Sequence, residues 1–489
     1  MNIRHIEEPL LKFGFGEDVC PRNGIRLYAP YDMEKVRPQT IKLGIIGKSE
    51  SIEIVTNWLD ESKGHIASKV KNKKPKLFTD FMGFKKNEAF NSEILYDDGY
   101  IRKINNSDFE DNSKHLTFEK LIQNIAQLYL NEIEWLSKNK SPDVILCVLP
   151  EEFAKRFIPE FLKSKSGEED IIEIDNELLE NDVEEFNDER EPESEEAQNF
   201  RRYLKAKAMK FGKPIQIFRD RIGIPTAEMQ DPATIAWNLF TALYYKASGT
   251  PWGIVKKKSD IVCYAGISFY QSRDKSSTQT SVAQIFDELG KGVILRGDEI
   301  IFKKFDRTPH LTEEQAFNLM DRALTEYNLA VKINPQRLVV HKTSNFNEEE
   351  ELGFIQAIKK HSIGALDLVT INERTNNRLF REHDYPPLRG THLSFDSKNH
   401  LLYTKGSVQF YETFPSKYIP NPLQIRLFRH DESPNIICEE ILALTKMNWN
   451  NTQFDNRSPI TIECSRRVGE ILKYLKEEES PQLKYSFYM

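Results

Sequence analysis

The chain has 489 residues, 39% hydrophobic and 11% aromatic, enough for ordinary buried cores in about two to four domains. Its formal charge of −7 argues against nucleic-acid binding only until it is located: residues 168–196, EEDIIEIDNELLENDVEEFNDEREPESEE, hold one Arg in a run of Asp and Glu, and the remainder is net basic. The scattered cysteines (Cys20, Cys147, Cys263, Cys438, Cys464) give no CxxC pair or Cys/His spacing for zinc, no apolar run is long enough to cross a membrane, and no leader pattern opens the chain, so a cytoplasmic protein is expected.

Residues 1–35 carry turn chemistry at Gly14, Gly16, Pro21-Arg22-Asn23-Gly24 and Pro30 and predict an arm with short strands. A buried-strand run, IKLGIIG at 41–47, precedes the helical segment SIEIVTNWLDESKG. The helix FEKLIQNIAQLYLNEIEWLSKN and the strand DVILCVLP at 143–150 come next. Strands alternating with helices predict an open parallel α/β sheet. Gly44-Ile45-Ile46-Gly47 lacks the full glycine fingerprint of a dinucleotide loop and reads as packing. The acidic block at 168–196 predicts a disordered insertion.

The segment Phe200–Trp252 carries the most chemistry. Tyr203 and Lys207 are four apart and share a helix face. A turn at Gly212-Lys213-Pro214 leads to Gln216 in a strand-like run. A second helix carries Asn238 and Lys246 eight apart, again roughly on one face. A phenol, two ammonium groups and two amides brought together suit the oxygens of a phosphate.

After Trp252 the pattern changes. IVCYAGISFYQ (261–271), TSVAQIFDEL (280–289) and GVILRG (292–297) read as hairpin strands, with Asp298-Glu299 as a turn. Then come the helix EEQAFNLMDRALTEYNLAV, the strand RLVVHK, the helix EEEELGFIQAIKKH and the strand ALDLVTI. The strands LLYTKGSVQFYE and PLQIRLFRH follow, and the helices CEEILALTKMNW and SRRVGEILKYLKEEE close the chain. Three antiparallel strands followed by strand–helix alternation is the order of a ribonuclease-H-like fold.

Five segments in order, KAKAMKFGKPIQ, NLFTALYYKASGTPWGI, YAGISFYQ, RLVVHKTSNF and LTKMNWNNTQF…SPITIECSRRVGEIL, give the chain a family likeness. From about Ile41 to Met489 it resembles a short prokaryotic Argonaute made of MID and PIWI domains alone, too short for the N-terminal and PAZ domains of long Argonautes. The resemblance implies an α/β protein: an arm at 1–35, a Rossmann-like MID domain at 36–253 with the acidic insertion, and a ribonuclease-H-like PIWI domain at 254–489. It implies that Tyr203, Lys207, Gln216, Asn238 and Lys246 hold a guide 5′ phosphate. Mg²⁺ is implied there too, on Gln216 and the C-terminal carboxylate of Met489. Ala242 stands where relatives place another polar ligand.

The resemblance also implies a PIWI domain that does not cut. Catalysis there needs carboxylates to hold metal ions. Ser268 follows Ala265-Gly266-Ile267, Thr343 follows His341-Lys342, and Arg466 falls at the last acidic position. Arg466, Arg467, Lys405 and Lys256-Lys257-Lys258 are expected to contact the duplex backbone. The implied partners are a guide RNA, a single-stranded DNA target and an APAZ-domain effector, bearing a sirtuin-like or TIR NAD-hydrolysing domain or a nuclease, in a prokaryotic defence pair; the arm either docks that effector or packs on its own PIWI domain. The alternative is a metal-dependent ribonuclease-H-type nuclease using Asp367, Glu299 and Asp455.

Overall fold

The structure is a computed structural model that describes residues 1–69, 76–112, 117–156, 195–223, 230–255, 261–273, 277–286, 293–300, 302, 308–382, 385–414, 420–476 and 478–489. The acidic block expected to be an insertion lies almost wholly outside the described residues, as do Lys256, Lys257 and Lys258.

The chain opens with three short strands, β1 (Asn2–His5), β2 (Leu11–Lys12) and β3 (Glu17–Asp18), and a helix, α1 (Pro21–Tyr28). Pro21 begins α1, where its missing N–H is not needed. Next come β4 (Thr40–Gly47), α2 (Ser49–Glu61), β5 (Glu93–Leu95), β6 (Ile101–Lys103), α3 (Phe118–Asn139) and β7 (Val144–Leu149). The last part of this half is α4 (Glu195–Ala208), β8 (Ile215–Arg219) and α5 (Pro232–Lys246). The sheet runs β5-β4-β7-β8, with β6 also on β4, and every pairing is parallel. All of Val144–Leu149 is buried, because helices cover both faces. Ile125, Tyr129 and Leu204 pack from α3 and α4 on one side. Val55, Ile235 and Leu239 pack from α2 and α5 on the other, which makes the sheet doubly wound.

A two-residue strand, β9 (Gly253–Ile254), pairs with β2 and leads into the second half. There the order is β10 (Val262–Gln271), β11 (Thr278–Phe286), β12 (Leu295–Ile300), α6 (Glu313–Val331), β13 (Arg337–Lys342), α7 (Glu348–Lys360) and β14 (Ala365–Asn372). It ends with β15 (Thr391–Ser394), β16 (Asn399–Leu402), β17 (Leu423–Arg429), α8 (Pro434–Leu444) and α9 (Ile460–Leu472). The nine strands run β1-β15-β16-β17-β14-β13-β10-β11-β12, with β10, β13 and β14 parallel at the centre and antiparallel hairpins outside. This is the ribonuclease-H-like order expected. α6 and α7 cover one face through Met320 and Phe354; α8 and α9 cover the other through Ile441 and Ile462. α9 lies so close to β10 that a Cβ on Gly266 would sit 2.1 Å from the Thr461 carbonyl oxygen, so that position requires glycine.

The arm has short strands and packs on the second half: β1 is the edge strand of the nine-stranded sheet, and Glu8 pairs with the buried Arg389 and Lys446. Two expectations need correction. Asp298 and Glu299 lie within β12 and not in a turn. The strand expected over LLYTKGSVQFYE ends at Leu402, where the chain turns into bridges of Ser407 with Leu388 and Val408 with Thr413.

Candidate functional site

α5 starts at an Asp231 cap, whose carboxylate accepts from the Thr234 N–H at 2.9 Å, and is apolar almost all round, so it runs through the core. Its last residue, Lys246, is 3% exposed. The Lys246 ammonium donates to the Ile215 carbonyl at 2.9 Å, to Gln216 Oε1, and to the main-chain oxygen of Met489 at 3.1 Å. These three contacts match its three N–H donors. Met489 is the end of the buried tail Tyr485–Met489, which threads into the same core. Burial drives the Lys246 pKa well below the ordinary lysine range, and the charges of Lys205 and Arg201 push it further down.

Gln216, Lys246 and Met489 therefore meet as expected. The other expected residues turn elsewhere. Tyr203 lies edge-on to Tyr474, ring centroids 6.1 Å apart, and Lys207 pairs with Glu479 at 2.6 Å. Asn238 accepts from the Thr452 N–H and hydroxyl, both at 3.0 Å, and eight residues of helix set it about 12 Å along the axis from Lys246. The cations whose fields reach Lys246 are Arg201 and Lys205. They too are four apart on α4, but their face is turned about 200° from that of Tyr203 and Lys207. In FRRYLKAK both pairs have the same spacing, and only the phase of the folded helix separates them. The Mg²⁺ expected here does not fit this donor set. Gln216 Oε1 and the Met489 oxygen would be its ligands, and both are engaged by an ammonium that also feels the charges of Lys205 and Arg201.

A second convergence lies at the carboxyl ends of the central parallel strands. Ser268 is near the end of β10, and Thr343 directly follows β13. Glu373, which sequence reading passed over, directly follows β14. Arg466 reaches over from α9 and pairs with Glu373 at 2.6 Å. Burial alone would raise the Glu373 pKa, but Arg466 beside it, with Ser458 and Arg457, holds the carboxyl below the usual range. Arg457 also donates to the Glu373 main-chain oxygen at 2.6 Å. Arg467, the other expected backbone contact on α9, pairs with Glu463 at 2.7 Å.

The carboxylates of the alternative do not converge. Asp367 is fully buried and accepts from Arg337 at 2.5 Å and from the N–H groups of Asp431 at 2.7 Å and Glu432 at 3.1 Å. It stands level with Val339, towards the start of β13, away from the strand ends. Glu299 is exposed on β12, and Asp455 is buried against Gln453.

Folding also makes a Cys/His cluster that no sequence spacing announced. Ligand atoms of His392, His400 and Cys438 lie within 4.8 Å of one another. Arg4 Nε donates to His392 Nδ1 at 2.9 Å, so the proton of the neutral ring sits on Nε2, facing His400 Nδ1 at 3.2 Å. That tautomer makes a hydrogen-bond relay and withholds the lone pair a metal would need.

No protein-family model and no curated protein matches the chain. Solved structures do. Clostridium butyricum Argonaute bound to a guide DNA and a 19-mer target DNA matches with a TM-score of 0.65 and 14% identity, over 98% of this chain and 53% of that one. Marinitoga piezophila Argonaute in complex with a 5′-OH guide RNA gives 0.56 and 12%, over 100% of this chain and 59% of that one. Drosophila Piwi gives 0.57 and 11%, over 99% and 56%. The chain thus spans little more than half the length of these proteins. Identities this low carry the fold and leave activity to be argued from the site. The chain has the fold of Argonaute proteins, a Rossmann-like MID unit followed by a ribonuclease-H-like PIWI unit.

Proposed function

We propose that the chain binds a short guide RNA by its 5′ phosphate, pairs it with a single-stranded DNA target without cutting it, and signals to an APAZ-domain effector in a prokaryotic defence pair. The observation that carries this reading is the Lys246 cluster: a buried ammonium flanked by the fields of Lys205 and Arg201, with Gln216 and Met489 against it. A guanidinium and two ammonium groups whose fields overlap suit phosphate recognition. The like charges that depress the Lys246 pKa are relieved when a phosphate enters. Two of the solved structures sharing the fold hold guide strands, one of them a guide RNA with a 5′ hydroxyl, which supports guide binding by analogy and leaves the 5′ phosphate to the Lys246 cluster.

The absence of cutting rests on the strand ends. Ser268 and Thr343 offer hydroxyls, and Glu373 is paired with Arg466, whose charge repels a divalent ion. The nuclease reading would need Asp367, which is already committed to Arg337 and two backbone N–H groups.

The test is a binding titration with guide RNAs of one sequence bearing a 5′ phosphate or a 5′ hydroxyl. A charge-assisted contact contributes on the order of 1.5–3 kcal/mol, so the phosphorylated guide should bind at least roughly tenfold tighter. Equal affinities would overturn the reading.

A further inference from the structure

One edge of the nine-stranded sheet is open along β1. The Ile6 N–H donates to the Gly390 carbonyl at 2.9 Å, and the antiparallel pairing continues as His5 with Thr391, Arg4 with His392 and Ile3 with Leu393. Ladder bonds alternate along such a pair, so the main-chain N–H and C=O groups of Ile3 and His5 point away from β15. Among the described residues β1 pairs with no other strand. A row of outward donors and acceptors is a template for one more strand.

The sheet is also open on one face at this edge. Arg4 and His392 face α8, where Arg4 pairs with Glu439. Ile3 and Leu393 face the other way. There Leu393, Leu401 and Tyr403 form a small cluster packed against Leu379, whose N–H donates to the Tyr403 hydroxyl oxygen at 2.6 Å. Apolar side chains remain around it: Ile3, Phe380 and Phe395 are 51%, 70% and 43% exposed. The same surface is basic. Arg378 and Arg381 flank Leu379 and Phe380, and Arg426 shares a row with Asn399 and Phe395. With Lys398 these cations outnumber the carboxylates of Glu382 and Asp396, and the Asp396 carboxylate is already spent on Lys398 N–H and Asn399. Arg381 and Arg426 have no ion-pair partner among the described residues.

We infer that this edge docks an extended segment of a partner protein, which adds a strand to β1 and lays an acidic flank on Arg378, Arg381 and Arg426. The free ladder selects a polypeptide, because a nucleic-acid strand has no alternating N–H and C=O groups to offer it. The arginines select carboxylates, and they disfavour a second copy of this chain, whose own basic face would meet them. The arm thus packs through one edge of β1 and presents the other. The inference rests on the partner subunit of the proposed function and gives that subunit a place and a mode of docking.

The experiment titrates the full chain, without guide or target, with a labelled short peptide of alternating threonine and valine that ends in a run of glutamates. The control peptide ends in lysines. The glutamate peptide should bind about three- to tenfold tighter, with a preference that fades as salt rises. Arg378→Glu with Arg381→Glu should reverse the preference, an exchange that simple loss of fold would not produce. Ile3→Pro, which removes an outward N–H at an edge position that tolerates proline, should weaken both peptides, and Ile3→Ala should weaken them less. Should Ile3→Pro unfold the arm, hydrogen exchange of the wild type decides: the glutamate peptide should slow exchange within residues 2–6. Equal binding of the two peptides, or unchanged exchange there, would overturn the inference. So would displacement of the bound peptide by single-stranded DNA or RNA, which would assign the face to nucleic acid. A concentration-dependent dimer lost in the arginine variant would assign it to a second copy and overturn it too. No guide enters this titration, so its failure is distinct from a failure of the guide-binding reading.

Discussion

Lys246 shows how far one residue's charge can be set against the stability of its own fold. Its ammonium is buried at the end of α5, where burial and the neighbouring Lys205 and Arg201 disfavour the charged form. A lysine whose folded pKa lies below its unfolded value binds fewer protons when folded, so its protonation opposes folding at neutral pH and the penalty lifts only as pH rises toward the ordinary lysine range. Lys246→Met should therefore leave the melting temperature equal or higher while abolishing the preference for phosphorylated guides. A melting scan with a guide titration checks both halves. The same phosphate assignment predicts that Arg201→Ala and Lys205→Ala each cost roughly tenfold in affinity for a phosphorylated guide, while Lys207→Ala, which loses only its partly exposed pair with Glu479, costs little. A larger loss from Lys207→Ala would return the site to the face first expected from the sequence. His341 gives a second titration of the same sign in a lower pH window. It is fully buried on β13, and burial, with the Arg337 charge, lowers its pKa from the usual 6.5 to about 3. The unfolded chain then takes up a proton that the folded chain refuses, so stability falls as pH drops from about 6.5 toward 3, by at most about 1.4 kcal/mol per pH unit. His341→Gln should flatten that acid limb in denaturant melts.

At the scale of elements, the sequence told most where a segment's burial is uniform and least where a choice of face decided the outcome. The strands IKLGIIG, DVILCVLP, RLVVHK and ALDLVTI fell where expected, because parallel strands covered on both sides read as unbroken apolar runs. The helices α6 and α7 were equally plain, each opened by a capping box, Thr312 with Gln315 and Asn347 with Glu350. What could not be read was set by long-range geometry. The phase of α4 leaves Arg201 and Lys205 as charges felt by Lys246, on the helix face turned away from Tyr203 and Lys207. The loop after β14 brought Glu373 under Arg466 across a separation that no local pattern encodes. The arm was another case: its turn-rich sequence left docking and packing on the second half both open, and Glu8 lies between Arg389 and Lys446, both with fully buried side chains. Removing Glu8 would leave two cations buried without their carboxylate. Glu8→Ala should cost about 3–5 kcal/mol, read as a lower denaturant midpoint at unchanged slope. A neutral result would mean that the arm's contacts are dispensable and that it is free to serve as a docking element after all.

Across the whole molecule, one hydrophobic core runs from the parallel sheet of the first half to the nine-stranded sheet of the second, taking in Ile45, Trp237, Val369, Ile441 and the tail residues Tyr488 and Met489. The Lys246 cluster and the strand-end centre therefore belong to one packed body, with the tail of the second half reaching the first at Lys246. Within it Glu373 is paired with Arg466 and Asp367 with Arg337, so the proposed reading expects no cutting. Guide-loaded protein incubated with complementary DNA and Mg²⁺ or Mn²⁺ should give no product opposite the guide; a defined cut, lost in Asp367→Ala, would establish the nuclease alternative. Under the proposed reading the output comes from a separate subunit, and target pairing can switch that subunit only if its contacts with this chain differ between the paired and unpaired states. Co-expression with the APAZ-domain protein should yield a complex on size exclusion whose NAD-consuming or nuclease activity rises when target is added to guide-loaded protein. Two proteins that elute apart, with an effector equally active in the absence of this chain, would refute the sensing role.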